Sequence, residues 1–124
     1  MNAADWIGAG TAPWVPHPTF PAVRLAWLLP PGVSTRAACA LAQIPEGANV
    51  PEHAHAEQDD ILYVLRGGAR MWIEGLGEPT LRPGDFLRVP AGLRHRPFDF
   101  AGDFLAFNLW ADASSRPDKQ RSQE

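Results

Sequence analysis

The chain has 124 residues, a formal net charge of −3 and one cysteine. That length suits a single domain with a single core; the acidic balance excludes the basic surface of a nucleic-acid-binding domain; and a lone Cys39 excludes both an internal disulfide and a thiolate metal cluster. The opening residues lack a basic start followed by an apolar stretch, and no apolar run approaches the ~18 residues of a membrane helix, so a soluble, cytoplasmic protein with no membrane partner is expected.

Taken in chain order, residues 1–22 set Pro13, Pro16, Pro18 and Pro21 among Trp6, Trp14 and Phe20, a composition that predicts an extended arm able to pack on a partner. His17, inside that proline run, is assigned no role. Beyond the arm, proline and glycine recur at intervals of about one strand length, which is an all-β rhythm. Strands are expected near residues 23–29, 35–44, 49–55, 60–66, 69–74, 79–81, 86–89, 94–99 and 103–110, forming one domain over 23–112. Residues 113–124 read as a polar, frayed tail.

His53-Ala54-His55 is the sharpest local feature, because residues i and i+2 of a strand share a face and two imidazoles can then reach one ion. A short polar run follows and leads into Asp60-Ile61-Leu62-Tyr63-Val64-Leu65, so a hairpin would set Asp60 beside His55. Turns at Pro83-Gly84-Asp85 and Pro90-Ala91-Gly92 then deliver His95 from an independent strand. The strand from Asp60 is apolar on both faces and needs a second cover, which predicts a homodimer.

These residues resemble the two signatures of the cupin family. The first resembles Gly47, five residues, His53-x-His55, four residues, Asp60, six residues, Gly67; the second resembles Gly84, five residues, Pro90-x-Gly92, two residues, His95, three residues, Asp99. Asp60 stands where the family usually has Glu, and Asp99 where Asn is common. Adjacent strand residues face opposite ways, so one of Asp59 and Asp60 points inward, and the spacing to Gly67 favours Asp60; Glu57, on the turn, is a third choice. The resemblance implies a double-stranded β-helix, or jelly-roll barrel, with His53, His55, Asp60 and His95 around one divalent transition metal: Fe, Mn, Ni, Zn or Cu. A three-histidine site without Asp60 is the alternative.

Gln43, Trp72, Phe98, Phe104, Phe107, Asn108 and Trp110 are expected to point inward as a pocket for a small-molecule substrate. Arg36, Arg88, Arg94 and Arg96 are candidates for a substrate carboxylate. No Ser-His-Asp order, Cys-His pairing or phosphate-cradling loop occurs, so any chemistry is the metal's. The expected activity is that of a dioxygenase on a small oxygen-rich molecule, with a sugar-acid-type isomerase or lyase, or a non-catalytic ligand- or carbohydrate-binding module, as alternatives.

Overall fold

A computed structural model describes residues 4–114. They form seven strands: β1 (Trp14–Pro16), β2 (Arg24–Leu29), β3 (Ala37–Ile44), β4 (Gln58–Ile73), β5 (Thr80–Leu81), β6 (Phe86–Val89) and β7 (His95–Asp112). All pair antiparallel in the order β1-β2-β3-β7-β4-β5, with β6 also on β4. Among the described residues there is no helix, and hence none long and apolar enough to cross a membrane. The fold is the expected all-β jelly roll.

Two long strands carry the architecture. The segments expected as separate strands at 60–66 and 69–74 run on as β4, and those at 94–99 and 103–110 run on as β7. Each is bent by residues that break the pleat. In β4 the pairing with β7 shifts register repeatedly between Val64 and Arg70. Gly67 sits there with φ of 72°, and a Cβ on it would stand 2.5 Å from the Ala101 carbonyl oxygen. Only glycine fits so close an approach. In β7, Asp99, Gly102 and Asp103 all adopt positive φ, the left-handed region that Asn, Asp and Gly tolerate best.

Each break switches which residues face the interior. On β4 the inward buried positions are Asp60, Leu62 and Val64 before the break, then Ala69, Met71 and Ile73 after it; Asp59 is also buried, on the opposite face. On β7 they change from His95 to Phe100, Phe104 and Ala106. The unbroken β3 buries Ala38, Ala40, Ala42 and Ile44 in strict alternation. The inward side chains make one core, with Leu25, Ala40, Val64 and Ala106 at 1% exposure or less. Fully burying a Leu or Val side chain contributes roughly 1.5–3 kcal/mol.

The segment expected as a strand at 49–55 is irregular, because Pro51 has no N–H to give a ladder. Backbone bonds still hold it extended: His53 N–H donates to the His95 carbonyl at 3.0 Å, His95 N–H to the His53 carbonyl at 2.9 Å, and Gly92 N–H to the His55 carbonyl at 2.7 Å. The arm is partly regular, since β1 adds an edge to the sheet by pairing Trp14 with Ala26 and Pro16 with Arg24. Most of the expected tail lies outside the described residues.

Candidate metal centre

His53, His55, Asp60 and His95 each offer a ligand atom, and these atoms all lie within 4.8 Å of one another. The elements explain the convergence: the stitched segment 53–55 supplies two imidazoles, β7 begins with His95, and β4 carries Asp60. Asp60 Oδ2 stands 3.1 Å from His95 Nε2 and 3.3 Å from His55 Nε2. Its shorter side chain therefore reaches the imidazoles without the extra methylene of Glu.

The surrounding bonds orient the donors. His53 Nδ1–H donates to the Pro51 carbonyl at 2.9 Å, and His95 Nδ1–H donates to the Leu93 carbonyl at 3.0 Å. Both rings therefore present Nε2, the arrangement in which metal-bound imidazoles are held by a second hydrogen bond. Asn108 Nδ2 donates to Asp60 Oδ1 at 2.7 Å and to the Ile61 carbonyl at 3.1 Å, leaving Oδ2 for the imidazoles.

The electrostatics call for a shared cation. Burial opposes the charged form of Asp60, but hydrogen bonds from His55, His95 and Asn108 outweigh it and hold the carboxyl far below the usual carboxylate range. Burial likewise opposes a charged His95, yet its bonds to Asp60 and to the Leu93 carbonyl raise its pKa. For His53, burial outweighs the hydrogen bond to the Pro51 carbonyl, and with the neighbouring His95 and His55 holds its pKa below the ordinary imidazole value. With Nδ1–H already given to Leu93, the His95 Nε2 facing an ionised carboxylate must carry a proton or share a metal ion. The four residues fit a divalent ion of intermediate softness.

The cluster borders a small cavity of about 70 Å³ that opens to solvent. Its other walls are mostly apolar: Phe20, Leu25, Ile44, Val50, Leu62, Met71, Phe104 and Trp110 among them, with Asn108 and His17 the added polar groups. Of the residues expected inward, Phe104, Asn108 and Trp110 line this cavity; Gln43, Trp72, Phe98 and Phe107 do not. Gln43 lies on the outer parity of β3, where Ala42 and Ile44 line the cavity instead. Trp72 is displaced by the break in β4, which brings Met71 inward in its stead, and Phe98 lies on the opposite parity of β7 from His95 and Pro97, which line the cavity. Phe98 packs under the Arg70 guanidinium, 5.1 Å from ring centroid to charge.

Asp59 faces away from the cluster. It accepts from Arg88 Nε and from the Ala91 N–H, both at 2.9 Å. Arg94 pairs with Glu52, and Arg96 donates to the Val50 carbonyl and Asn49, so these arginines brace loops instead of lining the cavity. Arg36 lines a separate polar cleft that also touches His55. Asp99 does not line the cavity; its side chain is 66% exposed and 3.7 Å from Arg70, so that position serves the backbone turn. Sequence reasoning missed His17, Phe20 and Leu25 as wall residues, although the register of β1 on β2 is what draws the arm inward.

An antiparallel jelly roll enclosing a His/Asp cluster able to hold a metal ion defines a class of small metal-site barrels. Residues 40–108 match the cupin domain family model, more than half the chain, and the protein belongs to the cupin family. Among curated proteins it is 41% identical to quercetin 2,3-dioxygenase of Bacillus subtilis over 51 residues, 41% of this chain and 15% of that protein. It is 31% identical to dimethylsulfoniopropionate lyase DddQ of Ruegeria pomeroyi over 80 residues, 64% of this chain and 39% of the relative. The matches thus span less than half of either relative. Among solved structures, KdgF from Halomonas sp. superposes with a TM-score of 0.74 at 21% identity, covering 94% of this chain and 99% of that one. The structure of the Ruegeria pomeroyi lyase gives 0.69 at 25% identity, covering 84% and 58%.

Proposed function

We propose that this cupin is a metal-dependent enzyme acting on a small oxygen-rich molecule, with His53, His55, Asp60 and His95 as ligands of one divalent transition metal. The observation that carries the reading is the convergence of three imidazoles and an ionised carboxylate within 4.8 Å beside a small, mostly apolar cavity. A divalent ion bound there supplies a Lewis acid for a carbonyl, carboxylate or enolate oxygen and, as iron, a redox partner for dioxygen.

The chain's own residues do the rest. Asn108 holds the Asp60 carboxylate in one orientation, Pro51 and Leu93 hold two imidazoles with Nε2 inward, and Phe20, Leu25, Leu62 and Phe104 give the cavity apolar walls. No Ser, Thr, Cys, Lys or Tyr lines the cavity among the described residues, which favours chemistry carried by the ion over covalent catalysis by the protein. Dioxygenase activity is the leading reading, supported by the match to quercetin 2,3-dioxygenase. The longer match to a lyase makes lyase or isomerase chemistry the second.

The test is elemental analysis of protein purified without a histidine tag, followed by oxygen uptake of the iron form with catechols, diketones and thiols. Stoichiometric iron with uptake supports the dioxygenase; zinc or nickel without uptake moves the assignment to lyase, isomerase or binder. No metal under any loading condition rejects the reading.

The same reading includes a cytoplasmic homodimer. Leu41, Phe107, Tyr63 and Phe86 stand in register across β3, β7, β4 and β6 on the outer face, with Tyr63 45% and Phe86 65% exposed. A second copy covers such a row well, because a two-fold axis sets an apolar patch against itself.

A further inference from the structure

The arm contributes an imidazole to the cavity that the four-residue cluster does not use. His17 lines the cavity with His53, His55, Asp60 and His95, but it is outside the group whose ligand atoms converge. Its place is fixed by the backbone: after β1, His17 N–H donates to the Val23 carbonyl at 2.8 Å, and Val23 N–H to the Phe20 carbonyl at 2.9 Å. Within that turn His17 Nδ1 accepts from the N–H groups of Thr19 at 2.9 Å and Phe20 at 3.1 Å. An acceptor nitrogen has no hydrogen, so the neutral ring carries its proton on Nε2. The ring stacks on Phe20 at 4.9 Å, and Phe20 in turn meets His53 at 5.0 Å.

Burial and the nearby His55 both lower the His17 pKa, which favours the neutral ring. Among the described residues no acceptor meets its Nε2–H, whereas Asn108 already serves Asp60 and Ile61. A donor beside apolar walls is stabilised by an acceptor from the ligand. Three neutral imidazoles and one carboxylate leave a divalent ion with one net positive charge, which a monoanion neutralises.

We propose that His17 orients the ligand: its Nε2–H donates to an oxygen of a small carboxylate or enolate anion held in the cavity against the ion, an inference that rests on the metal-centre reading. His17 is therefore a specificity residue supplied by the arm, distinct from the ligands of the ion.

The test uses cobalt(II)-loaded protein titrated with acetate and followed by visible absorption. His17→Asn keeps a side-chain oxygen to accept from the Thr19 and Phe20 amides, as Asn does in turns, and removes the donor at Nε2. Its acetate Kd is expected to rise about tenfold, the size of one charge-assisted hydrogen bond, with cobalt stoichiometry and Tm unchanged. His17→Gln, which restores an N–H near Nε2, recovers most of the affinity. Nitrogen NMR of the metal-free protein reads the tautomer directly, whether or not either variant folds, and is expected to show hydrogen on Nε2. Wild-type affinity in His17→Asn, an Nδ1–H tautomer, or a cobalt protein indifferent to acetate overturns the proposal. Failure to bind cobalt sinks the metal-centre reading and this inference with it.

Discussion

Asn108 reaches diagonally across the β4–β7 pair to bond Asp60 at 2.7 Å, and so decides which carboxylate oxygen faces the imidazoles. Removing it as Asn108→Ala frees the carboxylate to rotate. Metal affinity is expected to fall about 10- to 100-fold, as for other groups that orient a ligand, measured by competition with a chromophoric chelator. Unchanged affinity would mean that packing alone positions Asp60.

The histidines divide by burial. His95 is 1% exposed and bonded at both ring nitrogens, so His95→Ala should both abolish stoichiometric metal and destabilise the metal-free fold by about 1–3 kcal/mol. His55, whose side chain is 28% exposed, should lose metal as His55→Ala with a much smaller loss of metal-free stability. Urea unfolding with and without metal separates the two effects.

A pH dependence follows for the metal-free protein. The folded pKa of Asp60 is lowered, so its contribution is present above its unfolded value near 3.9 and lost as pH falls through the folded one. The folded pKa of His95 is raised, so its contribution is full below about 6.5 and lost as pH rises through the folded value. The coupling between the two in a double-mutant cycle of Asp60→Asn and His95→Gln should peak between about pH 4 and 6.5. A flat profile from pH 3 to 9 would contradict the shared-proton account.

Two signature glycines should differ in cost. Gly67 has positive φ and its Cβ would collide with the Ala101 and Gly102 carbonyls, whereas Gly47 has φ of 79° with nothing within 4 Å. Gly47→Ala should cost about 1–2 kcal/mol for the left-handed backbone alone. Gly67→Ala should cost about 3 kcal/mol or more, since the bend between the halves of β4 must open.

Phe86→Asp places a charge at the β6 end of the exposed outer row. If two copies meet there, light scattering should change from a two-chain mass to a one-chain mass, with little change in metal content. A wild-type mass of one chain removes the dimer from the proposal.

The histidine pair was readable because it is local, His53-x-His55 needing only strand alternation, whereas its meeting with His95 is long-range and was legible through the fixed spacings of the two cupin signatures. The all-β class was readable from the spacing of proline and glycine. The walls were not. Trp72 looks inward if alternation is carried straight through β4, and the break near Gly67 reverses it, whereas Phe98 takes the outward parity that His95 itself sets. Gln43 takes the outer parity of β3, while the small Ala42 beside it, which gives no signal of its own, faces the cavity. His17 was hidden because prolines mark a segment as irregular without saying where it docks.

The family match begins at residue 40, so the four candidate ligands fall inside it while His17, Phe20, Val23 and Leu25 of the cavity wall fall outside. On the proposed reading, the ligands of the ion lie in one stretch of chain and part of the wall that faces them in another, although Phe104, Asn108 and Trp110 of that wall fall inside the match or at its edge. Relatives that share every ligand of this centre can differ in the segment before β3 and so diverge in substrate without any change at the metal. Grafting residues 14–25 between such relatives would exchange preference while leaving the inorganic chemistry where it was.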